Sequence, residues 1–333
     1  MSVALTAYNA QRFLAETIES VLAQDFADFE FLLLDDGSTD RTAEIANSYA
    51  ARDPRVRVIS RENRRMPASL NQLFAAARAP LVARLDADDV CEPTRFSRQV
   101  AFLDEHPDHG LVGSQAHAID ETGRRVPRLD AKVPCAHEDV LAALPLYNPF
   151  YHPAVMVRRN LVIAAGGYRD AYRDTEDYEL WLRLSERTRM ANLPEVLLNY
   201  RWHLGQTSSR NMAGQARKAA IAWLAHLERV AGRPDPTEGL AVLPPDDLIE
   251  ALFGAGSWEY VRARVFKEIS SAPAVREGDE WPVALAHART RSERSRMRRI
   301  AGSQLRAGRP LVALRILAAL IGKHLNSSGD APS

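Results

Sequence analysis

Through the first third of the chain, short apolar runs alternate with stretches in which apolar residues recur every three or four positions. Val3–Leu5 reads as a strand, and Leu14, Ile18, Val21 and Leu22 then fall at i, i+4, i+7 and i+8, the spacing of one helical face. Asn9 is placed to cap that helix. Phe29–Leu34 is too apolar for a half-exposed strand and reads as one buried on both faces, as in a parallel sheet. It stops at Asp35-Asp36-Gly37-Ser38, where Ser38 or Thr39 is expected to cap a helix running through Ile45 and Tyr49. A strand at Val56–Ile59, a helix with Leu70, Leu73, Phe74 and Ala77 on one face, and a strand at Leu81–Leu85 follow. The last of these stops at Asp86-Ala87-Asp88-Asp89. Strand and helix in repeated alternation predict an α/β sheet with right-handed crossovers.

Past Pro93 the pattern loosens. A helix around Phe96, Val100 and Leu103, a run at Leu111–Ser114, a hairpin through Asp120-Glu121-Thr122-Gly123, and strands at Ala154–Val157 and Leu193–Tyr200 are expected. From about Gln206 the character changes to helices with proline-rich joints, which divides the chain into 1–205 and a helical region, 206–333.

The chain carries 43 Lys+Arg against 43 Asp+Glu, so its formal charge is zero, which argues against a dedicated nucleic-acid binder. Two cysteines, Cys91 and Cys135, are too few for a disulfide scaffold and are not spaced as a zinc site. No apolar run approaches the ~20 residues of a membrane-spanning helix, and no signal-peptide pattern opens the chain, so a cytoplasmic location is expected. The zero charge averages two unlike parts. Residues 289–323 hold ten basic residues and one acid, Glu293, and are +9, leaving −9 for the rest. Leu311, Leu314, Leu317, Leu320 and Ile321 recur there at helical spacing, so the segment reads as a basic amphipathic helix or helix pair. Such a surface suits an anionic membrane face; the alternative is an apolar side packed on the protein with its arginines merely solvated.

In an open parallel sheet, ligands bind beyond the carboxyl ends of the strands, and here two such ends open onto acids. Asp86-Ala87-Asp88 offers hard oxygen ligands for Mg²⁺ or Mn²⁺; the plainer reading is a solvated turn with Asp89 capping the next helix. Asp36 can accept from a base N–H or a ribose hydroxyl, while Gly37 permits a close turn. Glu176 and Asp177 stand together at a helix start, where crowding raises and the helix N-terminus lowers a carboxyl pKa.

Taken in order, Ala7-Tyr8-Asn9, Ser20-Val21-Leu22-Ala23-Gln24, Asp35-Asp36-Gly37-Ser38-Thr39-Asp40 and Leu85-Asp86-Ala87-Asp88-Asp89 resemble family 2 of the inverting, nucleotide-sugar-dependent glycosyltransferases with the GT-A fold. His152-Pro153-Ala154-Val155-Met156-Val157-Arg158, Gly166-Gly167-Tyr168, Glu176-Asp177-Tyr178-Glu179-Leu180-Trp181 and Tyr200-Arg201-Trp202-His203 continue the resemblance over roughly the first 210 residues. The resemblance implies a Rossmann-like, mainly parallel sheet. It also implies that Ala7 and Tyr8 line the nucleotide pocket, that Asp36 meets the base or ribose, and that Asp86 lies near the ribose and diphosphate. Asp88 and His203 would hold Mn²⁺ or Mg²⁺, Arg201 would neutralise phosphate charge, and Asp177 would be the general base toward an acceptor hydroxyl. The donor implied is a nucleoside-diphosphate sugar, uridine-linked by default, carrying a hexose or N-acetylhexosamine. The acceptor implied is a glycan or lipid-linked glycan of the cell surface. Residues 206–210 are a candidate loop over the donor, and His152 a residue that orients the acceptor side or packs beside Pro153.

Two departures stand out. The first strand begins almost at Met1 and is expected to be short, with Thr6 where proline is frequent, and the Gln-x-x-Arg-Trp signature of processive synthases is absent because Leu198 occupies its first position. A catalytically inactive sugar-nucleotide binder of the same fold is the alternative, opposed by the retained acids. A nucleotidyltransferase or dinucleotide-dependent oxidoreductase is opposed by the glycine-free Thr6-Ala7-Tyr8-Asn9-Ala10-Gln11.

Overall fold

A computed structural model describes residues 1–203, 211–271, 284, 286–306 and 309–326. The chain divides into two compact units, Met1–Gln206 and Thr207–Ser333. In the first, the order is β1 (Ser2–Ala7), α1 (Leu14–Leu22), β2 (Glu30–Asp35), α2 (Thr42–Ala50), β3 (Val56–Ser60), α3 (Arg65–Ala76), β4 (Leu81–Asp86) and β5 (Val90–Cys91). Then come α4 (Arg95–Glu105), β6 (His109–Ile119), α5 (His137–Ala143), β7 (Met156–Arg158), α6 (Arg159–Ala164), α7 (Glu176–Ser185) and β8 (Arg189–Arg201).

All eight strands form one sheet in the order β3-β2-β1-β4-β7-β6-β8-β5. Pairings β1–β2, β1–β4, β2–β3 and β6–β8 are parallel, and those of β7 with β4 and β6, and of β5 with β8, are antiparallel. The mixed, mainly parallel sheet is the expected one. Every residue of β1 is buried, as are Phe31–Asp35 of β2, which accounts for their continuous apolar runs. β1 is no shorter than its neighbours: β1, β2 and β4 are each six residues long. The chain leaves β1 for β2 on one side and returns as β4 on the other, so strand order reverses at β1, where a crevice opens at the carboxyl ends. Register places Thr6 beside Asp86 and Ala7 beside Asp35 at that edge.

Local capping differs from expectation because polar side chains at this edge bind across loops. Asn9 does not cap α1; it adopts φ 51° and lies outside the helix, which begins at Leu14 with no side-chain cap. The Asn9 amide donates to Ser38 Oγ at 2.9 Å, and Asn9 Oδ1 accepts from the Thr39 amide at 2.9 Å. Neither Ser38 nor Thr39 caps α2; Asp40 Oδ1 accepts from the Thr42 amide instead. The loops after β1 and β2 are thus stitched together. Gly37 (φ +79°) is required in this turn, since a Cβ would come within 2.8 Å of the Asn63 amide nitrogen. Residues 120–123 make the expected tight turn, closed by one Ile119–Arg125 bridge rather than by a full hairpin.

The second unit contains α8 (Met212–Val230), α9 (Ile249–Phe253), α10 (Ser257–Ser271), α11 (Arg291–Arg306) and α12 (Pro310–Asn326). The basic segment is a helix pair, α11 packing on α12. The buried stripe of α12 is Ala313, Ile316 and Leu320, whereas Leu314, expected on the apolar face, is 59% exposed. The expected loop at 206–210 lies outside the described residues, as do the side chains of Leu311 and Ile321. No described helix is long and apolar enough to cross a membrane.

Candidate active site

The turn after β4 collects three carboxylates. One oxygen each of Asp86, Asp88 and Asp89 lie within 4.8 Å of one another. Asp89 does not cap α4. It is fully buried, its Oδ1 accepts from the Arg201 amide at 2.8 Å, and its Oδ2 has no hydrogen-bond partner among the described residues. Burial, with the charges of Asp88 and Asp86, pushes the Asp89 carboxyl well above the ordinary range. At the end of β8, His203 Nε2 comes within 2.9 Å of Asp88 Oδ2, and its ring lies against Phe13. The set fits a hard divalent cation: converging carboxylate oxygens, one imidazole nitrogen and one buried oxygen with nothing to bond.

Arg201, expected to neutralise phosphate charge, has a side chain 1% exposed and engaged within the protein: Nε donates to the Asp88 carbonyl at 2.7 Å, Nη1 to the Asp120 carbonyl at 3.1 Å and Nη2 to Glu16 at 2.7 Å, with Phe13 beneath the guanidinium. It braces the aspartate turn from behind. The buried cation that does face an acid of the turn is Arg84, two residues before Asp86 on β4 and 3% exposed. It grips Asp86 through both amino groups, at 2.6 and 2.5 Å. Burial still raises the Asp86 carboxyl, against Arg84's pull. Sequence reasoning missed Arg84, although a charge inside the apolar run Leu81–Leu85 was the signal, since such a residue is seldom buried unless paired.

On the β1–β2 side, Ala7 is buried and its carbonyl accepts from the Asp36 amide at 2.9 Å, while Tyr8 is 54% exposed beyond it. Asp36 is buried and organises the loop before α3. Its Oδ1 accepts from Arg61 Nε at 2.9 Å and the Arg64 amide at 3.0 Å, and its Oδ2 from the Arg65 amide at 2.7 Å. These partners, too, were not legible from spacing.

Asp177 occupies the first turn of α7. Its Oδ2 accepts from Asn148 Nδ2 at 2.6 Å and its Oδ1 from the Tyr178 amide at 2.7 Å. Burial raises its carboxyl above the ordinary aspartate range, and these two donors and Arg84 pull the other way. The opposing effects at Glu176 resolve the same way: burial, then the charge of Asp177, pushes it up to about 7. Glu176 is 7% exposed, and its Oε2 has no hydrogen-bond partner among the described residues. Near neutral pH Glu176 therefore carries a proton for much of the time. Asp177 is close enough to the turn for its charge to help raise Asp86. His152 is packed edge-on against Trp181, with Nε2 3.1 Å from the Tyr168 hydroxyl; burial and then Arg84 hold its pKa well below the usual range, so it is neutral.

Among known proteins, residues 2–166 match the profile described as Glycosyl transferase family 2. EpsE of Bacillus subtilis is 39% identical over 60% of this chain and 72% of its own length. The O-antigen biosynthesis glycosyltransferase WbnJ of Escherichia coli is 30% identical over 64% of this chain and 84% of its own. Among solved structures, S. aureus TarS 1–349 in complex with UDP-GlcNAc superposes with a TM-score of 0.60 at 17% identity, covering 96% of this chain and 88% of that one. The mannosyltransferase PcManGT from Pyrobaculum calidifontis, in complex with GDP-Man and Mn²⁺, gives 0.52 at 17% identity over 97% and 86%. At these identities the two structures speak for the GT-A fold. The ordered motifs, the acid-lined crevice at the carboxyl edge of β1 and β4, and the two relatives lead to one conclusion: the chain belongs to glycosyl transferase family 2, and its activity is sugar transfer.

Proposed function

We propose that the chain is an inverting, non-processive glycosyltransferase that moves a hexose or N-acetylhexosamine from a nucleoside-diphosphate sugar to a hydroxyl of a glycan or lipid-linked glycan. The observation that carries this reading is Asp177: a desolvated carboxylate, oriented by two donors, on a different element from the acidic turn. Inverting displacement needs the base on the sugar face opposite the leaving diphosphate, so base and diphosphate site must come from separate segments. Asp177 would take the proton of the acceptor hydroxyl as its oxygen forms the new bond to the anomeric carbon and the bond to the diphosphate breaks. Desolvation favours that step, because it raises the basicity of Asp177 above that of an exposed aspartate.

Asp88 and His203, with Asp86 and Asp89 beside them, would hold Mn²⁺ or Mg²⁺. Such a cation supplies Lewis-acid stabilisation of the charge developing on the leaving diphosphate. Arg84 fixes the Asp86 carboxylate and Arg201 fixes the Asp88 backbone, so neither oxygen set must reorganise when donor arrives. Ala7 and Tyr8 would wall the base. Asp36 Oδ2, which accepts from the Arg65 amide and has two lone pairs, keeps an acceptor for a base N–H or ribose hydroxyl. UDP-sugars are the first candidates, consistent with the ligand of TarS; the GDP-Man of PcManGT makes guanosine-linked sugars the second. The relative named for O-antigen biosynthesis supports a surface-glycan acceptor.

The test is a screen of UDP-, GDP- and dTDP-sugars against purified full chain with lipid-linked acceptors, with Mn²⁺ or with EDTA, scored by nucleoside diphosphate release and by the anomeric configuration of the product. One donor should turn over only with metal and with inverted configuration. Nucleotide binding without turnover of any donor would contradict the reading, as would a retained configuration.

A further inference from the structure

The basic end of the second unit has a face that its own packing does not use. On α11 the buried positions Met297, Ile300, Ala301 and Gln304 form one stripe, and Arg291, Arg298, Arg299, Leu305 and Arg306 are exposed outside it. On α12, Ala313, Ile316 and Leu320 are buried while Leu314 and Arg315 point away. The exposed residues crowd toward the connection between the helices: Leu305 and Arg306 end α11, and Leu314 and Arg315 lie in the early turns of α12. Arg298, Arg306 and Arg315 have no ion-pair partner among the described residues. The one acid of the segment, Glu293, is spent elsewhere, accepting from the Arg289 and Thr290 amides and from Arg262.

We propose that this end of the α11–α12 pair is a docking surface for an anionic phospholipid bilayer. Arginines match the headgroup phosphates, and Leu305 and Leu314, 51% and 59% exposed, match the acyl boundary beneath them. A nucleic-acid backbone would leave the two exposed leucines unused. The surface lies on a membrane and does not span it, since no described helix is long and apolar enough to do so. The proposal is independent of the donor and base assignments above.

The test uses the full chain and large unilamellar vesicles of phosphatidylcholine with or without about one third phosphatidylglycerol, read by co-sedimentation. Binding is expected only to the anionic vesicles and should weaken as salt rises. Each arginine contributes about fivefold near an anionic surface, so Arg298→Gln/Arg306→Gln/Arg315→Gln should weaken binding by about 100-fold. Leu305→Ser/Leu314→Ser should weaken it by about tenfold while keeping its salt dependence. Both variants should keep wild-type helicity and donor turnover, because all five side chains are outside the catalytic unit and exposed. Equal binding to neutral and anionic vesicles, no binding at low salt, unchanged binding by the triple variant, or binding to RNA in place of vesicles would each overturn the proposal. Donor turnover on the same samples reports separately on the catalytic reading.

Discussion

Glu176→Gln isolates the cost of the buried carboxyl pair at the start of α7. Glu176 is 7% exposed, its Oε2 has no partner among the described residues, and its pKa is held at about 7 against an ordinary 4.5. At about 1.4 kcal/mol per pH unit, keeping this group ionised in the fold costs about 3 kcal/mol. For an acid whose folded pKa is raised, the native state keeps a proton that the unfolded chain has already released between pH 4.5 and about 7. Wild-type stability therefore falls as pH rises through that window and is level above it. Glutamine keeps the size and removes the titration. The gain should be near zero at about pH 4.5 and grow to at most about 3 kcal/mol above pH 7, an upper bound because the amide brings a second donor. For a unit of this size that is a rise in Tm of about 6–12 °C, read by circular dichroism with EDTA present from about pH 4.5 to 8.5. An equal gain at both ends of the range, or none at the alkaline end, would refute the electrostatic account of this pair.

Asn148→Ala removes a donor at 2.6 Å from Asp177 and leaves its charge less stabilised. The acid limb of kcat/KM should move up by about one pH unit with the plateau largely kept, because the base must be ionised to act; an unmoved limb would detach Asn148 from the base. Arg201→Gln should cost about 2–3 kcal/mol through lost bonds to the Asp88 and Asp120 carbonyls, its pair with half-exposed Glu16 adding little, and should weaken Mn²⁺ binding. A phosphate-binding arginine would instead raise the donor KM at unchanged Tm.

The residues that announced themselves in the sequence were those whose burial is continuous or whose chemistry ends a strand. β1, β2 and β4 read as strands because both faces are covered, and their acidic ends fell at one edge as the topology of parallel sheets demands. What stayed hidden were side chains whose partners are distant in sequence. Asn9 and Ser38 bond to each other's loops rather than to helix ends, and Asp89 holds the Arg201 amide more than a hundred positions away. A capping preference is a local rule and yields when a partner across the fold takes the side chain instead. The pairing of β6 with β8 was hidden for the same reason, since periodicity finds a strand but not its neighbour. Leu314 shows the limit of helical spacing: a leucine on schedule is 59% exposed, while Ala313, Ile316 and Leu320 make the buried stripe.

The central claim is that Asp177 is the general base of sugar transfer while other residues hold nucleotide and metal. Transfer to an acceptor by Asp177→Asn, measured beside Mn²⁺-dependent nucleotide binding by calorimetry on the same preparation, tests it most directly. Transfer should fall by about 10²–10⁴-fold, the usual contribution of a positioned base, with the nucleotide Kd unchanged within about twofold. Near-normal transfer by the variant, or loss of transfer and nucleotide binding together, would contradict it.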